Sequence, residues 1–159
     1  MADVTLTADI LIAMIEGIKS KKQLKNYYDK YEKTFVEDAE LLESRFRETM
    51  NDFSKLFESN LRTSEFRRVS LFYSLFTALQ HLRYGIPSLE LPKIGDTKWN
   101  YSRIRSTLES VEEVVLTENK QSLNQEQNRF LESTRRATTD AAARVRRATY
   151  ILAQITPQK

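Results

Sequence analysis

The sequence predicts an all-α fold: a single-domain helical bundle of five to seven helices around a buried central helix. Three observations carry that reading. Phe66 to Tyr84, FRRVSLFYSLFTALQHLRY, is apolar on almost every side of a helical wheel, the mark of a helix buried all round. Three glycines and three prolines punctuate 159 residues, which favours long helices with few connections. Ser/Thr-x-x-Glu/Gln capping boxes recur at Ser20 with Gln23, Thr34 with Glu37 and Ser122 with Gln125, each ahead of an amphipathic stretch.

Each element follows from its spacing. Residues 4 to 18 carry Val4, Leu6, Ala8, Ile10, Leu11, Met14, Ile15 and Ile18, interrupted in charge only by Asp9 and Glu16, so a largely buried helix is expected, starting near Asp3 or Thr5. The Ser20 box opens a short helix in which Leu24, Tyr27, Tyr28 and Tyr31 share a face. From the Thr34 box a long helix runs to about Glu58. Ala39, Leu42, Phe46, Met50 (or Thr49), Phe53 and Phe57 form its inner stripe, and Glu40, Arg47, Glu48 and Asp52 its wet face. Thr63 and Ser64 are candidate N-caps for the central helix, and Gly85 followed by Pro87 stops it.

Residues 85 to 100 form the one long irregular loop, held down by Ile86, Leu89, Leu91 and Ile94. Asp96 or Thr97 can cap the next helix, whose inner face reads Trp99, Tyr101, Ile104, Leu108, Val111 and Val115. A turn over 117–123 and the Ser122 box lead into helical sequence up to Gln154, with a break near Thr138 and Thr139. Its apolar face reads Phe130, Leu131, Ala142, Val145, Ala148, Ile151, Leu152 and Ile155.

Composition then excludes whole classes of chemistry. Without cysteine there is no disulfide scaffold, thiolate metal site or Cys nucleophile. One histidine, His81, closes the zinc arrangements that need two imidazoles. No Gly-rich phosphate loop and no Ser-His-Asp set is present, and neighbouring carboxylates such as Glu112 and Glu113 point to different sides of a helix. No cofactor and no metal are implied. No apolar run approaches the ~20 residues of a membrane span, and the first residues lack a basic leader, so a cytoplasmic protein away from the membrane is expected.

Charge is unevenly spread. Residues 1–64 hold ten Lys or Arg against twelve Asp or Glu, whereas residues 65–159 hold fifteen against ten. The cationic excess gathers in Arg135, Arg136, Arg144, Arg146 and Arg147, with Arg129 nearby. On one continuous helix Arg136, Asp140, Arg144 and Arg147 would line a single stripe, suited to tracking phosphates, meeting a protein partner or lacing the helix with ion pairs. His81 has the position of a packed core or rim residue. The RNase-like helical-bundle signature, an Arg shortly before a His near a helix start, is missing there.

Three segments, ADILIAMIEGIKSKKQLKNYYDKYE, FRRVSLFYSLFTALQHLRYGIP and FLESTRRATTDAAARVRRATYIL, together resemble the helical C-terminal region of the ParB/sulfiredoxin-like DNA-defence proteins, the GmrS and GmrD type of modification-dependent restriction enzymes. The resemblance implies a bacterial role in defence against foreign DNA. In that family the chemistry resides in an N-terminal ParB-like domain with an Asp-Gly-Gln-Gln-Arg type motif, and in some members in a histidine-based nuclease domain; this sequence holds neither. It is therefore expected to be a fragment of a longer protein or a separate subunit, a non-catalytic accessory domain that positions a ParB-like catalytic domain or subunit. Two other readings stand beside it: a stand-alone nucleic-acid-binding bundle that contacts DNA or RNA through the arginine helix, and a divergent helical nuclease.

Overall fold

The computed structural model describes residues 2–95, 99–136 and 138–157. Seven α-helices are found among them: α1 (Ala2–Glu16), α2 (Leu24–Lys33), α3 (Ala39–Phe57), α4 (Val69–Tyr84), α5 (Tyr101–Leu116), α6 (Gln125–Arg135) and α7 (Ala141–Ile155). Short 3-10 turns at Lys21–Gln23, Asn60–Arg62, Glu65–Arg67 and Lys120–Ser122 join them, and the described residues contain no strand. The fold is a single-domain all-α bundle.

The central helix is where the sequence places it. From Leu71 to Leu82 every residue of α4 but Phe72 is buried, and Leu71, Leu75, Phe76, Ala78 and Leu79 have no exposed surface. Helix α7 covers it most extensively, α3 and α1 pack on its other sides, α6 lies on α7, and α5 bridges α3 and α7. Aromatic rings seal the α3–α4 contact: the Phe53 ring lies 4.5 Å from that of Phe72, and Phe46 lies 5.2 Å from Phe76.

Several helix starts differ from the predicted ones, because the expected caps are engaged elsewhere. Thr34 terminates α2, its N–H donating to the Lys30 carbonyl, so Asp38 caps α3 by accepting from the Leu41 N–H at 3.0 Å. Ser64 caps the Glu65–Arg67 turn, and α4 itself begins after Arg68. Ser122 donates to the Asn119 carbonyl, leaving the capping box to Asn124 and Gln127, each 2.9 Å from the other's backbone N–H. Asn100 caps α5, so Trp99 precedes the helix; Asp96 and Thr97 lie outside the described residues. The Ser20 box forms as expected on the Gln23 side, with the Gln23 amide oxygen 3.3 Å from the Ser20 N–H, but it opens a 3-10 turn leading into α2.

The long loop folds back over the end of α4. Ile94 and Gly95 donate their N–H groups to the Leu82 carbonyl at 2.8 and 2.9 Å. His81, buried as expected, is the clasp: its Nδ1 accepts from the Ile86 N–H at 2.9 Å, and its Nε2 bonds the Leu91 carbonyl. The same loop meets the end of α1, where Gly17 turns with φ +86°. A Cβ at Gly17 would lie 2.2 Å from the Ser88 hydroxyl, which accepts from the Ile18 N–H.

Candidate functional site

The predicted arginine stripe is split. Helix α6 ends at Arg135 and α7 starts at Ala141, so Arg136 and Asp140 lie in the intervening turn, off the helix that carries Arg144 and Arg147. Arg135, Arg136 and Arg146 are exposed, and Arg135 donates to the Thr117 carbonyl at 3.0 Å. Arg144 and Arg147 are buried, with 2% and 1% of their surface exposed. A signal for this was present in the sequence: Arg144, Arg147, Ala148, Ile151 and Ile155 step by three and four, so both arginines sit in the register of the core.

Each buried guanidinium ties distant segments together. Arg144 lies 3.8 Å over the Tyr73 ring and bonds Asp9 Oδ2 on α1 and the Lys19 carbonyl. Arg147 donates from Nε to Ser74 Oγ at 3.1 Å, from Nη1 to the Ser133 carbonyl and from Nη2 to the Thr138 carbonyl at 2.7 Å. Those last two contacts hold the C-terminal end of α6 and the turn after it. No carboxylate meets Arg147 among the described residues. Burial, and then the neighbouring charge of Arg144, pulls its guanidinium down to about 10, still protonated at neutral pH.

Beside these two arginines lies a cavity of about 250 Å³, lined also by Asp9, Lys21, Val69, Ser70, Tyr73, Thr138 and Thr139. The Tyr73 hydroxyl and Asp9 Oδ1, both buried, have no hydrogen-bond partner. Burial drives the Tyr73 phenol and the Asp9 carboxyl above their ordinary values.

A second polar cluster, at the other end of α4, went unforeseen. Asp52, expected on the wet face of α3, is fully buried and takes a bidentate pair from Arg83 at 2.7 and 2.8 Å. Tyr101 donates to the same carboxylate at 2.6 Å, and Trp99 lies 4.2 Å from the Arg83 guanidinium. Burial, and then the bond to Asp52, pushes the Tyr101 phenol up to about 12. Rotation of α3 to bring Asp52 inward also turns Thr49 and Leu56 into the core and leaves Ala39 exposed and Leu42, Phe46 and Met50 half-buried.

Those half-buried side chains line a groove of about 680 Å³ between α1 and α3 that also includes Leu11 and Phe35. Val4, Phe35, Val36 and Leu41 are exposed, with Val36 at 80%. A further groove of about 540 Å³ runs between α6 and α7, with Arg129, Arg146 and the stacked Phe130–Tyr150 pair in its lining.

Comparison with known proteins finds no match: no family model, no curated protein and no solved structure corresponds to this chain. Among the described residues no group of three His, Asp or Glu side chains is placed to hold a metal ion, and no helix is long and apolar enough to cross a membrane.

Proposed function

We propose that this chain is a non-catalytic helical interaction domain of a bacterial DNA-targeting defence system, and that it holds a ParB-like catalytic domain or subunit. The observation that carries the interaction is the α1–α3 groove, where Leu11, Phe35, Leu42, Phe46 and Met50 leave apolar surface uncovered. Contiguous uncovered apolar surface of this kind favours a protein partner. Glu43 and Arg47 in its lining form an exposed ion pair, so the occupant that fits is an amphipathic helix of the partner with an apolar face and flanks of mixed charge. The defence assignment rests on the resemblance of the three segments quoted above.

Calorimetric titration of the chain with a ParB-like domain tests this reading. Phe35→Asp with Val36→Asp is expected to weaken binding at least ~10-fold while the helical circular dichroism stays unchanged. Wild-type affinity in that variant, or no wild-type binding at about 100 μM, would sink the proposal.

A second reading, nucleic-acid contact, is favoured by a different feature. Arg129 and Arg146 are exposed and border the α6–α7 groove beside Tyr150, and Arg135 and Arg136 are exposed nearby in sequence. It calls for DNA or RNA binding that weakens with salt, and for a shallower salt slope in Arg146→Glu. The histidine form of a nuclease has no such support, because both ring nitrogens of His81 are engaged with loop backbone.

A further inference from the structure

We propose that the cavity between the first turn of α4, α7 and the α6–α7 turn binds a small oxyanion of the phosphate class, either free hydrogen phosphate or a phosphate monoester group. Three cationic side chains, Arg144, Arg147 and Lys21, line it against one carboxylate, Asp9. That carboxylate is already paired with Arg144, so the Arg147 charge is left to carbonyls and a hydroxyl. A cation held out of water without a counter-charge attracts an anion strongly, because the surrounding dielectric screens it little.

The remaining groups favour the same ligand. Tyr73 is 2% exposed, lines the cavity, and its hydroxyl has no partner; an anion oxygen would accept from it. Helix α4 begins at Val69 without a side-chain cap, and Val69 and Ser70 line the cavity, so the positive end of that helix borders the space. Asp9 Oδ1 selects among oxyanions. It is a buried acceptor without a donor, and hydrogen phosphate, or a monoester in its singly protonated form, brings an O–H that it can receive, whereas sulfate at neutral pH brings none. A volume of about 250 Å³ admits a phosphate group but falls below the span of typical pockets that swallow a whole drug-sized ligand. The site is separate from the α1–α3 groove and does not depend on the function proposed for it.

Calorimetry and thermal unfolding of the full chain in phosphate, sulfate and chloride at matched ionic strength test the proposal. Sulfate controls for the general stabilisation that excluded salts produce. Saturable phosphate binding is expected, with a Tm above that in sulfate and chloride. Tyr73→Phe removes only the unpartnered hydroxyl, so it is expected to fold and to bind phosphate about tenfold more weakly. Lys21→Gln, on the exposed rim, is expected to weaken binding several-fold. AMP added in place of phosphate identifies the source: tighter binding assigns a monoester group, weaker binding the free ion. Equal behaviour in phosphate and chloride overturns the site, as does wild-type phosphate affinity in both variants. Sulfate binding as tight as phosphate overturns the assignment to phosphate.

Discussion

The two ends of α4 each carry an arginine cluster, half-buried around Arg83 and fully buried around Arg144 and Arg147, and they are solved in different ways. At the C-terminal end, Arg83 meets Asp52 in a fork-to-fork pair, Tyr101 takes a remaining carboxylate position, and Trp99 covers the guanidinium. The Arg83 and Asp52 charges close on each other, and only the buried Trp99 indole N–H is left without a hydrogen-bond partner. At the N-terminal end, Arg144 closes on Asp9 but Arg147 finds only carbonyls and a hydroxyl, while Tyr73 and one Asp9 oxygen stay unpartnered beside a cavity. A matched cluster holds helices together and leaves little over for a ligand. An unmatched one holds helices together and keeps binding capacity in reserve.

Substitution at the two ends sharpens this contrast. The largest effect is expected at the closed end. Asp52→Ala removes the buried carboxylate that takes two bonds from Arg83 and one from Tyr101, and a loss of about 3 kcal/mol should appear in urea denaturation. At the open end, Arg147→Met frees the Ser133 and Thr138 carbonyls but also removes an uncompensated buried cation. The net loss is expected to be smaller, about 2 kcal/mol in the same measurement. A loss for Arg147→Met matching that of Asp52→Ala would break the contrast.

The paired tyrosines give a finer test. Tyr101→Phe removes a hydroxyl that donates to a buried carboxylate and should lower stability by about 1.5–3 kcal/mol. Tyr73→Phe removes a hydroxyl that donates to nothing and, in phosphate-free buffer, should change stability by less than about 0.5 kcal/mol. Equal effects would mean the two ends are built alike.

A surface pair supplies the baseline. Glu16 accepts from Lys30 and from Tyr31 at 2.7 Å, and these two bonds hold its carboxyl below the usual range. A depressed carboxylate contributes stability that is present above its unfolded value and is lost as pH falls through the folded one. Acid titration of stability should therefore be slightly shallower in Glu16→Gln, by less than any change at α4, because solvent screens this pair.

Much of the architecture was legible in the sequence because it depends on local period and punctuation. The burial of α4 follows from its apolar wheel, its end at Gly85 from a residue tolerant of φ +91°, and the break between α6 and α7 from Thr138 to Asp140. Helix starts were less legible. Ser, Thr, Asn and Asp caps compete over a few residues, and whether Thr34 starts one helix or ends another depends on which turn takes its N–H first.

The candidate site was legible only in part. Arg144 and Arg147 were visible as arginines in core register, but their partners are Asp9, 135 residues away, and Ser74, 73 away, and no periodicity announces such distances. Asp52 read as solvent-facing because charge on a helix ordinarily faces water, and Arg83, 31 residues on, together with Tyr101, 49 residues on, makes its burial favourable. The uncovered α1–α3 groove is likewise a product of how α3 rotates to deliver Asp52. Sequence determined which segments become helices and which one lies at the centre, since hydrophobic period and capping act within a few turns. Tertiary structure alone decided which charges close on one another and which are left open, because a buried charge takes its character from whatever the fold brings to it.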